Sequence, residues 1–225
     1  MKVLIFGATG MVGRGVLREC LLAADVSLVQ TVGRTPTGET DPKLRELVQA
    51  DLFDYAAVED RLRDFDACFF CLGVSSGGMG ASDYTRLTYE LTLAAASVLA
   101  RLNPAMTFTY VSGAGTDSSE QGRSMWARVK GRTENALLHL PFKAVYLFRP
   151  GAIQPLDGIV SKTTAYRVGY TLAKPFLSLL RKMLPQQILT TRSMGVAMLE
   201  VVRHGADKKV LETADIYRIA QRAGA

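Results

Sequence analysis

Long apolar runs, blocks of like charge and a cysteine framework are all missing from this 225-residue chain. Each absence removes a class of protein. No uninterrupted apolar stretch reaches the roughly 20 residues that span a bilayer, and no charged-then-apolar leader with a small-residue cleavage site opens the chain. A soluble, cytoplasmic protein is expected on those grounds. The three cysteines, Cys20, Cys68 and Cys71, are too few and odd in number for a disulfide scaffold. Cys68-Phe-Phe-Cys71 has C-x-x-C spacing, but it lies in an apolar run, 66–72, that reads as a buried strand. Positions three apart on a strand face opposite ways, so neither a redox dithiol nor a metal pair is expected. Histidine is scarcer still. His139 and His204 have no acidic or cysteine neighbours at ligand spacing, and no metal site is expected. The net charge of +6 admits a phosphate-bearing ligand. The basic residues are scattered, however, with no run of five or more, so nucleic acid is not implied.

The composition that remains, 48% hydrophobic and 21% charged, suits one α/β domain with a sizeable core. Strand-like runs recur at 3–6, 27–32, 46–50, 67–72, 107–112 and 145–148. Helical patterns fall between them at about 11–23, 54–64, 83–102 and 122–139, with Asp83 as the expected N-cap of the third. Such alternation predicts a doubly wound parallel sheet with helices on both faces and right-handed crossovers. Ligands of such sheets bind at the carboxyl ends of the strands. After Arg149-Pro150 the rhythm changes, and residues 151–190 are expected to form a small substrate-side lid within the single domain. A helix over 163–183 carries Arg167, Lys174 and Arg181 seven apart, and Lys174-Pro175 breaks or kinks it. Its basic stripe suits a cleft lid or a dimer contact, or else an anionic membrane surface or partner. Whether the protein is monomeric or dimeric stays open. A helix over 192–204, a strand near 209–212 and a last helix from Thr213 complete the pattern.

The most informative segment is the first. The apolar run Val3–Phe6 ends in Gly7-Ala-Thr-Gly10-Met-Val-Gly13, and an apolar-periodic helix follows at once. Gly7 allows the chain to reverse, Gly10 lets a pyrophosphate approach the backbone, and Gly13 allows the helix to pack close to the sheet. The helix start then offers unpaired N–H groups and its positive end to phosphates. A dinucleotide is the expected ligand, held by Gly7, Thr9, Gly10, Met11, Val12 and Gly13. A glycine-rich turn merely joining strand to helix is the bland alternative.

The second strand ends in Val32-Gly33-Arg34-Thr35. An NAD site usually places an acid here for the ribose hydroxyls, whereas arginine pairs with a 2′-phosphate. Arg14, directly after the last glycine, is placed to reach the same phosphate. NADP(H) is therefore expected over NAD(H), unless Arg34 is only a solvated loop charge. Asp51 and Leu52 follow the third strand, where a carboxylate can accept from the adenine amino group and an apolar side chain can cover the ring. Asp51 serves equally well as a helix cap. Gly73, past the fourth strand, allows the backbone to pass under the ribose or is a simple turn glycine.

Gly7-Ala-Thr-Gly-Met-Val-Gly13, Cys71-Leu-Gly73, Tyr110-Val-Ser112, Val129-Lys-Gly-Arg-Thr-Glu134 and Phe148-Arg-Pro-Gly151 run in order across nearly the whole chain. In them the sequence resembles the extended or atypical branch of the short-chain dehydrogenase/reductase superfamily, among the NAD-dependent epimerase/dehydratase-like proteins. The resemblance implies a Rossmann-like sheet, a nicotinamide cofactor and a Ser/Tyr/Lys catalytic group. It also implies cofactor contacts at Cys71, Leu72, Gly73, Pro150 and Gly151. Ser112 then orients a substrate oxygen and Lys130 holds the nicotinamide ribose, although Ser112 serves as well as a strand-end cap and Lys130 as a solvated lysine.

The tyrosine of that group is missing. Four residues before Lys130, on the same helix face, stands Trp126, whose indole N–H donates but does not titrate usefully. Tyr84, Tyr89, Tyr166, Tyr170 or a bound water remain as proton donors. Gly73-Val-Ser75-Ser-Gly77 fits the G-x-S-x-G hydrolase elbow, yet that elbow needs a helix immediately after its serine. The sequence reads as an NADP(H)-dependent oxidoreductase on a small carbonyl or hydroxyl compound. A regulator that senses NADPH or binds partners without turnover is the rival.

Overall fold

The computed structural model describes residues 1–156, 158–159 and 186–224. Seven strands pair in parallel, with a helix between most successive ones. They are β1 (Lys2–Phe6), β2 (Leu28–Gly33), β3 (Leu44–Val48), β4 (Ala67–Phe70), β5 (Thr107–Val111), β6 (Ala144–Arg149) and, late in the chain, β9 (Val210–Glu212). Their order across the sheet is β3-β2-β1-β4-β5-β6-β9. Strand order reverses between β1 and β4, and that is where such sheets open a ligand crevice at the strand carboxyl ends.

Apolar side chains fill both faces, as in buried parallel sheets. On one side Val3, Ile5, Phe69 and Phe148 pack with α1 (Met11–Leu22), α5 (Thr191–His204) and α6 (Thr213–Arg222). On the other, Leu4, Phe6, Cys68, Phe70 and Phe108 pack with α3 (Leu91–Leu102) and α4 (Met125–Leu138). Cys68 lies in the second core and Cys71 packs against the first, so strand alternation separates the C-x-x-C pair. Burial pushes the Cys71 thiol up to about 12.

α1 and α5 approach closely through glycines. A Cβ on Gly15 would lie 2.6 Å from Thr191, and one on Gly195 would lie 2.8 Å from Glu19. α5 opens on a capping box in which Thr190 and Ser193 satisfy each other.

Several boundaries differ from the sequence reading. β3 begins two residues earlier than the 46–50 pattern suggests, because this edge strand is half-covered and its alternation marks only one face. The segment after it forms a 3₁₀ helix, Ala56–Leu62. Asp83 is not an N-cap: α2 (Ala81–Thr85) begins two residues earlier with Gly80 at the cap, and Asp83 sits in its first turn. A π-helical turn, Arg86–Glu90, joins α2 to α3. Within 151–190, β7 (Ala152–Gln154) and β8 (Ile188–Thr190) pair in parallel, a contact the sequence reading did not include. The helix expected over 163–183, with its basic stripe and proline, lies outside the described residues.

Candidate functional site

The glycine turn has the geometry that a phosphate cradle requires. Gly7 sits at φ 77°, and a Cβ on it would lie 2.7 Å from the Cys71 and Leu72 backbone. A Cβ on Gly13 would overlap the Gly7 carbonyl oxygen, so the first turn of α1 can rest against the strand end only without a side chain. Gly10 donates to the Gly7 carbonyl at 2.9 Å. α1 begins with no side-chain cap and no acid in its first turn. Its positive end is left for an external anion. These features fit a dinucleotide pyrophosphate.

Beside this turn a cleft of about 390 Å³ is lined by Gly7, Thr9, Val32, Arg34, Leu52 and Leu72, among others. Three chain segments expected to converge, after β1, β2 and β3, therefore meet there. Leu52 is buried and supplies an apolar wall. Arg34 is exposed, and among the described residues no carboxylate pairs with it. Asp51 Oδ1 accepts from the Phe53 N–H at 2.8 Å, while Asp54, not Asp51, accepts from Ala56 at the helix start. Asp51 thus forms a local turn, and of its two expected roles the helix cap falls to Asp54. Gly73 has open space where a Cβ would stand, so the protein's own packing does not require glycine there.

Arg14 departs from expectation. It lines a neighbouring cleft of about 440 Å³ with Leu17, Arg18 and Asp41, rather than the one that holds Arg34. Glu39 and Thr40 line that same cleft. The buried Arg14 Nε has no hydrogen-bond partner among the described residues.

The second cluster forms at the carboxyl ends of β5 and β6. Ser112, first after β5, is 6% exposed. Its hydroxyl donates to Glu134 Oε1 at 2.5 Å, with the Phe148 carbonyl at 3.2 Å as an alternative acceptor. The side chain expected to orient a substrate oxygen is instead turned inward and committed, because Glu134 from α4 offers a fully buried carboxylate. Gly113, the next residue, has open space at its Cβ position and no hydroxyl to present. Glu134 is gripped by Arg149, whose Nε lies 3.1 and 3.2 Å from its two oxygens and whose Nη2 also donates to it. Arg149 reaches on to Glu212 at 3.2 Å and Ser118 at 2.5 Å. The Glu134 hydrogen bond holds the Arg149 guanidinium above its usual range.

Lys130, one turn before Glu134 on α4, is half-buried and donates to the Ser112 carbonyl. Burial pulls its pKa down to about 8, against the opposing pull of Glu134. Trp126 is half-buried, with its ring edge against Gly115. Pro150 is tied to the same region, its carbonyl accepting from the Ala114 N–H at 2.9 Å, and the Gly151 N–H donates to Thr213 at 2.8 Å. Tyr84 is buried and its pKa raised by desolvation. Tyr89 stacks under the Arg132 guanidinium, 4.2 Å from ring centroid to Cζ. Tyr166 and Tyr170 lie outside the described residues. Ser75 of the G-x-S-x-G match stands in an exposed loop several residues before α2, which is not an elbow.

The sequence reading assigned no role to Glu134 and Arg149. The available signal was the i, i+4 spacing of Lys130 and Glu134, which puts both on one helix face.

The family model described as NAD dependent epimerase/dehydratase matches residues 3–123. Protein FMP52-1, mitochondrial, of Scheffersomyces stipitis is 26% identical over 155 residues, covering 68% of this chain and 67% of that protein. Protein HTATIP2 of Rattus norvegicus is 28% identical over 155 residues, covering 68% of this chain but only 62% of its own length. Among solved structures, the Bordetella bronchiseptica enzyme WbmF in complex with NAD+ superposes with a TM-score of 0.67 at 14% identity. That alignment covers 99% of this chain and 78% of WbmF and establishes the shared fold.

The cytoplasmic expectation is corrected by these relatives, since the FMP52 proteins are named mitochondrial. Among the described residues no helix is long and apolar enough to cross a membrane. The Rossmann strand order, the glycine cradle and a family match over more than half the sequence lead to one assignment: the chain belongs to the NAD dependent epimerase/dehydratase family.

Proposed function

We propose that the chain is an NADP(H)-binding oxidoreductase acting on a small carbonyl or hydroxyl compound, with Lys130 in place of tyrosine as the titratable group at the reaction end. The carrying observation is Lys130 itself, half-buried on α4, donating to the Ser112 carbonyl just after β5, with its pKa drawn to about 8. Such a lysine keeps most of its protons at neutral pH yet can release them, which general acid–base work requires. Among the described residues the alternatives are weaker: Trp126 does not titrate, Ser112 gives its one hydroxyl proton to Glu134, Tyr84 is buried, and Tyr89 is stacked under Arg132.

Arg34 supports NADP(H) over NAD(H). It stands in the adenosine-side cleft with no carboxylate partner among the described residues, and a guanidinium can grip a 2′-phosphate bidentately. A bound nicotinamide dinucleotide supplies hydride chemistry. The chain's contributions are the glycine turn and the α1 start for the pyrophosphate, Leu52 for the adenine, and Lys130 for the nicotinamide ribose.

The test is NADPH oxidation across a panel of small aldehydes and ketones, with wild type, Lys130→Met and Trp126→Tyr side by side. Wild-type turnover that disappears in Lys130→Met supports the reading, and turnover that survives it unchanged removes the lysine from the chemistry. A second reading, an NADPH-sensing protein without turnover, is favoured by Trp126 and by the committed Ser112 hydroxyl. Measurable NADPH binding with no consumption, and reductase activity appearing only in Trp126→Tyr, selects that second reading.

A further inference from the structure

We propose that Ser112 is a positioning residue, which, with Glu134 and Arg149, fixes Lys130 toward the nicotinamide end of the groove. The inference rests on the reading that Lys130 contacts the bound dinucleotide.

Ser112 is held at two points by residues one turn apart on α4. Its carbonyl accepts from Lys130 Nζ, and its hydroxyl donates to Glu134. Its N–H donates to the Phe148 carbonyl at 2.9 Å, so the backbone between β5 and β6 is fixed as well. A serine hydroxyl has one proton to give, and Glu134 takes it. Nothing is left to donate to a substrate oxygen.

Glu134 cannot drift. It is fully buried, and Arg149 neutralises it from β6 through its Nε and Nη2. A buried carboxylate without such a partner would be costly. Arg149 is itself braced by Glu212 at the end of β9 and by Ser118 of the loop after β5. The chain Lys130–Ser112–Glu134–Arg149 therefore joins α4, β5, β6 and β9 at one point. Alternating charge along it leaves Lys130 with a nearby anion that is already bonded elsewhere. The ammonium is attracted but not captured, and keeps N–H bonds beyond the one given to Ser112.

Among the described residues the ionisable groups around this point are few. Glu134 lies on the lysine's own helix, Arg149 on β6, Glu212 on β9 and Tyr110 on β5, with Tyr84 on α2. Asp117, in the adjoining loop, directs its carboxylate to the Gly122 N–H and to Ser119. Both tyrosines are kept protonated by burial. Glu134 is thus the anion best placed to hold Lys130 in its charged form.

The experiment is direct titration of the full chain with NADPH between pH 7 and 9.5, comparing wild type, Glu134→Gln, Ser112→Ala and Lys130→Met. Wild-type affinity should fall as Lys130 loses its proton near pH 8. Glu134→Gln should weaken binding several-fold at pH 8 and move the inflection down by half a pH unit or more. Ser112→Ala should weaken binding by less and move the inflection up, because the freed Glu134 oxygen then attracts the ammonium more strongly. If Ser112→Ala leaves NADPH affinity and its pH profile unchanged, the positioning role is overturned, and this variant decides even if Glu134→Gln does not fold. If Lys130→Met binds NADPH as tightly as wild type at every pH, the failure lies in the underlying cofactor reading instead.

Discussion

Ser112 donates its hydroxyl to Glu134 at 2.5 Å, and that bond ties the end of β5 to the middle of α4. Behind it, Arg149 pairs with a carboxylate that has no access to water. Arg149→Met leaves Glu134 buried and unpaired, and should cost about 3–5 kcal/mol of stability. Denaturant unfolding at pH 7 measures it; a cost under about 1 kcal/mol contradicts the pairing.

The glycines of the turn should separate into two kinds. Gly13→Ala forces a Cβ onto the Gly7 carbonyl oxygen, so it should lower the melting temperature and weaken NADPH by at least about tenfold, or 1.4 kcal/mol. Gly73→Ala meets open space and should leave stability within about 0.5 kcal/mol of wild type. Any affinity it loses then reports clearance for the ligand alone. Calorimetry of the free proteins, followed by NADPH titration, distinguishes the two.

Lys130 should make stability rise with pH. Its folded pKa of about 8 lies below the ordinary lysine value of 10.5, so between those limits the unfolded chain binds more protons. Below pH 8 the cost of the buried ammonium is fully present, and it disappears as pH approaches 10.5. Lys130→Met should therefore exceed wild type in stability at pH 7, by about 2 kcal/mol after allowing for the lost Ser112 hydrogen bond. The advantage should close by about pH 10.5. Unfolding of both proteins across that range checks it, and a constant difference would remove the titration from the account.

The corner between α1 and α5 offers an acid-side counterpart. Arg203 clamps Asp25 at 2.6 and 3.0 Å, and its hydrogen bond draws the Asp25 pKa below the ordinary carboxylate value. Stability from this pair is present above the usual aspartate range and lost as pH falls through the lowered value. Both partners are partly exposed, so Asp25→Asn should cost less than about 1 kcal/mol at neutral pH. The cost should vanish once the carboxylate is protonated, as thermal melts at neutral and acid pH would show.

The sequence revealed what is local and missed what is paired across distance. Apolar runs located the five inner strands. The spacing of Gly7, Gly10 and Gly13 identified the cradle, because each demand there is made on the backbone of neighbouring residues. β3 was misplaced by two residues since an edge strand buries one face only. The β7–β8 pair stayed invisible, as its three-residue strands meet across more than 30 positions. Ser112 shows the limit most clearly. Whether a strand-end hydroxyl points outward or into the core depends on a carboxylate 22 residues away and on the arginine that makes its burial possible. Arg14 follows the last glycine in sequence, yet it lines a different cleft from Arg34, one bordered by Glu39, Thr40 and Asp41.

The central claim is that the glycine cradle and Arg34 together form an NADP(H) site. Titration of wild type and Arg34→Gln with NADPH and with NADH, at one fixed ionic strength, tests it most directly. NADPH should bind wild type at least about tenfold more tightly than NADH, and Arg34→Gln should erase most of that gap while leaving NADH affinity nearly unchanged. Equal affinity of the wild type for the two nucleotides, or a preference that survives Arg34→Gln, contradicts the claim.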